Sequence, residues 1–203
     1  MLWVGWFGFN GGSAVAADSS AAMAILVTHI SAAVGALTWM LVEWLKTGKP
    51  TVVGIATGMV AGLATITPAS GTVGPQGALL IGFLAGFVCF YATQIIKGNF
   101  KIDDSLDVFP VHGVGGILGI LMLAFVGKPD GFLGSGATGF DPSVFEQFMI
   151  QLQGVLVICI WTLVFSWVAL KITSFVTDLR VSDENEHEGL DLAEHNERSY
   201  ITG

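Results

Sequence analysis

The stretch Asp107–Val126, DVFPVHGVGGILGILMLAFV, decides the architecture. After one acidic residue it holds only apolar residues, glycine, one proline and one histidine. Wound as a helix at about 1.5 Å per residue, it reaches roughly 30 Å, the thickness of a bilayer's hydrocarbon core. An imidazole in such a segment needs a reason, and the surrounding chain narrows the choices.

The 203 residues are 53% hydrophobic and 12% charged, with a mean hydropathy of +0.72. A soluble domain carries about a quarter charged residues, so this composition belongs to a membrane protein. The net charge of −8 is unevenly spread. Residues 178–203 hold eight acidic residues against two arginines, and the preceding 177 residues hold eight against six lysines. The organisation expected is a membrane domain over 1–177 followed by an acidic tail over 178–203. Cys89 and Cys159 fall in apolar runs without a CxxC pattern, which predicts buried free thiols rather than a disulfide. No positively charged region precedes the first apolar run, so no signal peptide is expected.

Five segments are long enough to cross a bilayer, at approximately 20–45, 51–69, 73–96, 105–127 and 144–177. The last, at about 1.5 Å per residue, would reach roughly 51 Å and so must tilt or protrude. Residues 1–17 are apolar and aromatic but short, and read as the second half of a membrane helix. The loops at 17–19, 69–73 and 127–143 share one side and carry only Lys128. The opposite side receives Lys46, Lys49, Lys97, Lys101 and Arg180, which makes it cytoplasmic by the positive-inside rule. The acidic tail is then cytoplasmic.

Gly54, Gly58 and Gly62 lie four apart, as do Gly82 with Gly86 and Gly115 with Gly119. Small residues at this spacing share a helix face and let backbones approach closely in lipid. They predict tight helix packing and not an active site.

His112 is the chemically suggestive residue. The entry IDDSLD offers Asp104 or Ser105 as a cap and Asp107 as a favourable charge at the helix start. Pro110 is tolerable near that start but loosens the first turns. Two turns into the expected span, His112 either marks a pore or proton relay, or hydrogen-bonds between helices. His29, in AILVTHISAAVGALTW, reads first as a packing residue, and His187 and His195 as solvated. In WVGWFGFNGGSA, Trp6, Phe7 and Phe9 stand around glycines, with Asn10 and Ser13 following. Such aromatics form interfacial belts, and they also bind ammonium-type cations in desolvated sites. A hydroxyl such as Ser13 can accept a hydrogen bond from such a cation.

GWFGFNGGSA, TPASGTVGPQGALLIG, DDSLDVFPVHGVGGILG and EGLDLAEHNERSY, in this order, resemble the Amt/Mep ammonium transporters over essentially the whole chain. The related Rh proteins share the fold but match the tail and glycine motifs less well. The resemblance implies an all-α membrane protein, a polytopic helical bundle of the Amt/Rh channel type, here partial. The family protomer has eleven helices, an outside N-terminus, a cytoplasmic C-terminus and a narrow pore in each subunit of a homotrimer. This chain resembles it from within the sixth helix to the end. The helices before it would carry the partner pore histidine, two aromatics of the outer site and a structural acidic residue.

Position by position, the resemblance implies that His112 is the second pore histidine. Phe9 would be one of two stacked phenyl rings gating the channel, and Ser13 the hydroxyl of an outer ammonium site. Trp6 and Val108 would line the pore. In the tail, Gly189, Leu190, Asp191 and His195 match a segment that packs on the cytoplasmic face of the trimer, where PII-type regulatory proteins dock. Asn196 replaces the usual glycine after the tail histidine, and Pro110 replaces a frequent glycine before the pore histidine.

The function expected is ammonium/ammonia transport in the cell membrane, with no cofactor, no metal and no nucleic-acid partner. The alternative is an ammonium-sensing protein acting through its tail. A general small-solute channel would call for paired Asn-Pro-Ala boxes, which the sequence lacks. An enzyme would call for a nucleophile–base pair, and none is visible.

Overall fold

The computed structural model describes residues 1–127 and 143–197. Residues 1–155 form one compact unit, and the chain from Leu156 forms another. The boundary between them falls inside a single helix.

The first unit begins with α1 (Leu2–Gly12), a short apolar helix. Asp18 then starts α2 (Ser19–Thr47): its Oδ1 accepts the N–H groups of Ser20 at 2.9 Å and Ala21 at 3.1 Å. These are orphan donors of a first helical turn, which is why an acidic residue sits there. Gly48, at φ +79°, ends α2 in the left-handed conformation that glycine adopts without strain. Thr51 caps α3 (Val52–Ile66) by accepting the Gly54 N–H at 2.9 Å. The Glu43 carboxylate holds that cap, accepting from the Thr51 N–H and hydroxyl at 3.0 Å each. A 3-10 turn, Thr67–Ala69, closes α3, and Pro75 opens α4 (Pro75–Thr93) at a position that needs no N–H. A π-helical turn, Gln94–Asn99, ends α4.

The next span differs from its expected start at 105. Both oxygens of Asp104 are engaged, accepting the N–H groups of Val108 at 2.9 Å and Phe109 at 2.8 Å. Asp107 stands at φ +55°, and Lys97 Nζ lies 2.9 Å from its carboxylate. The helix therefore begins with a π-helical turn, Phe109–Val114, that runs into α5 (Gly115–Val126). Pro110, with no N–H to give, sits at the head of this wide turn. His112 thus lies in the first turn of its helix rather than two turns in.

Among the described residues, five helices are long and apolar enough to cross a membrane: Ser19–Thr47, Val52–Ala69, Pro75–Asn99, Phe109–Val126 and Val144–Ser174. They match the five spans read from the sequence, and among the described residues there is no strand. The fold class expected, an all-α polytopic bundle, is the one observed.

The centre of the first unit is the crossing of α2 with α3 and α4. A methyl group on Gly58 would strike Trp39 and the Gly35 backbone, and one on Gly62 would strike the Ser31 carbonyl. A methyl on Gly86 would come within 2.6 Å of the Gly35 carbonyl oxygen. The Ser31 hydroxyl donates to the Gly62 carbonyl at 2.8 Å across the same crossing. The glycines serve close approach, as their spacing predicted. Around them pack two apolar clusters, one with Val27, Ile66, Ile81 and Val126, the other with Trp39, Ala61, Cys89, Phe90 and Val111. α5 joins by the same device, because a methyl on Gly119 would strike the Thr65 carbonyl.

Helix α6 (Val144–Ser174) buries only Gln147 and Val155. Cys159 is consequently exposed, against the expectation of two buried thiols, whereas Cys89 is buried; both are free. Within the second unit, α7 (Asp183–Glu188) and α8 (Leu190–Ala193) meet at Gly189. The Ser182 hydroxyl caps α7, and Arg180 pairs with Glu186 at 2.9 Å. The loop carrying Lys128, and Arg198 to Gly203 of the tail, lie outside the described residues.

Candidate functional site

Helix α1 is seated on the rest of its unit by side-chain polar groups. Asn10, 4% exposed, donates from Nδ2 to the Thr28 hydroxyl at 2.9 Å, and that hydroxyl donates onward to the Ala24 carbonyl at 2.6 Å. One turn earlier, Trp6 donates from Nε1 to the Thr67 hydroxyl at 2.8 Å. These two bonds set the rotation of α1 about its axis.

That rotation brings three of the sequence-derived candidates together. The Trp6 indole lies nearly parallel to the His112 imidazole, with centroids 6.2 Å apart and planes 15° apart. The Phe9 ring meets Trp6 edge-on at 6.2 Å and 88°. Phe9 and His112 are exposed, while Trp6 is half-buried. An open apolar concavity of about 400 Å³ is lined by Met1, Leu2, Gly5, Trp6 and Phe9. The indole and the phenyl ring thus face one space, and the imidazole lies beside the indole.

The other candidates add no ring to this group. Ser13 follows the last turn of α1, exposed, its hydroxyl donating to the Phe9 carbonyl at 2.7 Å. Its oxygen keeps lone pairs that can accept from a cation. Val108, 52% exposed, sits at the entry of the π-turn where Asp104 takes its N–H. His29 is exposed on α2, its ring 5.1 Å from that of Trp3 and 6.0 Å from that of Phe7. Helix α1 therefore presents Trp6 and Phe9 to one side and Trp3 and Phe7 to His29.

In the second unit, Leu190, Asp191 and His195 are exposed. Gly189 stands at φ +104°, and the Asp191 carbonyl accepts the Glu197 N–H at 2.9 Å. Asn196 adopts φ +52°. It is thus in the left-handed region that glycine favours and asparagine tolerates best among other residues.

Two residues of the site were not singled out from the sequence. Thr67 is the acceptor for Trp6, and Thr28 the acceptor for Asn10. TPASG was noted as a motif, but the partner of its threonine lies 61 residues away, and no spacing rule reaches that far. Among the described residues no three His, Cys, Asp or Glu side chains converge as a metal centre would require.

Chemically, the imidazole offers one donor and one acceptor in its neutral form. The two π-faces attract cations, by up to about 2 kcal/mol each where water is excluded.

The model of the Ammonium Transporter Family matches residues 1–200. An ammonium transporter of Aquifex aeolicus is 42% identical over 200 residues, covering 98% of this chain and 46% of that protein. Ammonium transporter Amt1 of Archaeoglobus fulgidus is 40% identical over 200 residues, covering 98% and 50%. Among solved structures, one titled Sensor Amt Protein superimposes with a TM-score of 0.84 at 33% identity, covering 95% of this chain and 46% of that one. Mep2 of Saccharomyces cerevisiae gives 0.76 at 35%, covering 85% and 42%. The chain spans about half the length of the curated relatives it matches. The family match along nearly its full length and its apolar spans make this chain a multi-pass membrane protein of the ammonium transporter family.

Proposed function

We propose that this chain forms one wall of a transmembrane passage for ammonium and ammonia. The observation that carries the reading is the stack of Trp6 on His112 beside Phe9, at 6.2 Å in both pairs. Ammonium and potassium are similar in size, so a ring of charges would separate them poorly. Ammonium alone can give up a proton. Aromatic faces and the Ser13 hydroxyl hold the cation at the mouth, and Phe9 restricts entry. Beyond it, an apolar bore lined by Trp6 and Val108 penalises any ion that stays charged, because an unpaired buried ion costs many kcal/mol. Neutral ammonia passes, hydrogen-bonding to the His112 imidazole.

The assembly that fits this reading is a homotrimer in the cell membrane, with residues 1–177 in the bilayer and the tail cytoplasmic. The lysine distribution supports that orientation. Gly189, Leu190, Asp191 and His195 then form a cytoplasmic surface for neighbouring subunits and for a PII-type regulator.

The test is methylammonium uptake in a transport-deficient cell by this chain expressed with the N-terminal half of a relative. Uptake that falls when His112→Ala is introduced supports the reading. Uptake indifferent to His112→Ala overturns it.

A second reading, ammonium sensing through the tail, is favoured by the likeness to the structure titled Sensor Amt Protein. It predicts that a tail-dependent signal responds to ammonium in cells where His112→Ala has abolished uptake.

A further inference from the structure

The geometry points to Thr67 as the residue that positions the Trp6 indole against His112. This inference rests on the transport reading for its consequence, but the bond itself can be tested without transport.

The direction of the Trp6–Thr67 bond is fixed by the chemistry of its partners. A threonine hydroxyl has one proton and two lone pairs, and an indole N–H can only donate. The Thr67 proton goes to the Leu63 carbonyl at 2.8 Å, one turn back in α3. Its lone pairs therefore remain for Trp6, whose Nε1 lies 2.8 Å from Oγ1. A valine at this position would keep the shape and lose both roles. The contrast with Trp3 is instructive: its Nε1 is buried without an acceptor among the described residues. An indole on α1 does not receive a partner by default.

Thr67 is also held in the same frame as His112. It begins the 3-10 turn at the end of α3, where Pro68 stiffens the backbone. Helix α5, which continues the turn carrying His112, is packed on that turn: a methyl on Gly119 would lie 3.3 Å from Pro68 Cδ and strike the Thr65 carbonyl. Fixing the indole to Thr67 thus fixes it relative to the imidazole, although Trp6 belongs to another helix. The bond also occupies the only polar atom of the indole. The indole that lies 6.2 Å from the His112 ring thus has no free N–H, so a passing ammonia meets one hydrogen-bonding group there and not two. Thr67 is a positioning residue: it keeps the wall opposite the imidazole apolar and aromatic.

The test uses the full chain in lipid nanodiscs, ¹⁵N-labelled at tryptophan, and the same variants in the uptake assay with the complementing half. The indole ¹H–¹⁵N resonance of Trp6 is assigned by its loss in Trp6→Phe. Thr67→Val is expected to shift that resonance and the ring-current-shifted His112 Hε1 signal, whereas Thr67→Ser leaves both in place. Uptake by Thr67→Val is expected to fall about three- to tenfold, the equivalent of one ordinary hydrogen bond, with Thr67→Ser restoring it. Trp6→Phe and Thr67→Val together should lose no more than the worse single change, as for two ends of one interaction. Unmoved resonances in Thr67→Val, or additive losses in the double variant, overturn the proposal. If Thr67→Val fails to accumulate, Trp6→Phe probes the same bond from its donor side: an unchanged His112 Hε1 signal then overturns it. Absence of uptake by the unsubstituted pair would overturn the transport reading instead, and the resonances would still decide the positioning.

Discussion

Asn10 shows how a single polar side chain can orient a helix in an apolar setting. Its amide reaches the Thr28 hydroxyl, itself fully buried, and little else on α1 is buried. Asn10→Ala should lower the stability of the folded chain by about 1–2 kcal/mol, the cost of one buried hydrogen bond and its orphaned acceptor. Thermal unfolding in detergent would register the change, and unaltered unfolding would count against the anchoring role. Asn196 makes a different demand on its residue. At φ +52° it bears the turn in which the Glu197 N–H bonds the Asp191 carbonyl. Asn196→Gly should leave that amide as protected from hydrogen exchange as before. Asn196→Val should cost about 1–2 kcal/mol, because a β-branched side chain meets the backbone in the left-handed region. Equal protection in both variants would refute the strain argument.

At the scale of elements, helix packing depends on which glycines lie at crossings. Gly62 faces the Ser31 carbonyl and the Ala32 backbone, and a backbone cannot move aside as a flexible side chain can. Gly62→Val should therefore destabilise the bundle by about 1–3 kcal/mol, the usual penalty of overpacking, or prevent accumulation. Gly154, in α6, has nothing within 4 Å of where a methyl would sit. Gly154→Ala should be neutral or add up to about 1 kcal/mol through helix propensity. Comparing the folded yields and melting temperatures of the two variants checks both statements at once. The sequence spacing flagged Gly62 but could not separate crossing glycines from idle ones. Spacing reports a shared face, whereas the crossing depends on what the opposite helix offers.

For the whole molecule, the notable property is the amount of apolar surface turned outward. His112 and Phe9 are exposed, and α6 buries two residues of its 31. On the transport reading proposed above, a closed bore around His112 needs a further wall. The expected result is that this chain alone gives no saturable methylammonium uptake, and that a co-expressed N-terminal half of a relative restores it. The same exposure distinguishes the two thiols: a small maleimide on detergent-solubilised protein should modify Cys159 and spare Cys89. Mass spectrometry of the intact chain would give one adduct, and two adducts without unfolding would contradict the burial of Cys89.

The five spans and the glycine faces were legible in the sequence because each is a local pattern. Hydropathy over about 20 residues or small residues four apart act within one helix. The resemblance implied pore or outer-site roles for His112, Phe9, Ser13, Trp6 and Val108, and the structure sets the rings of Trp6, Phe9 and His112 near one another. The start of the fourth span's helix at Phe109 was not legible, because Asp104 could cap at several distances and only the folded loop selects Val108 and Phe109. Nor was the exposure of Cys159, since an apolar run reads alike whether it packs on protein or faces outward. The partners of Trp6 and Asn10 lie 61 and 18 residues away. Contacts across that distance follow from how α1 lies against α2 and the end of α3, and only the tertiary structure decides that.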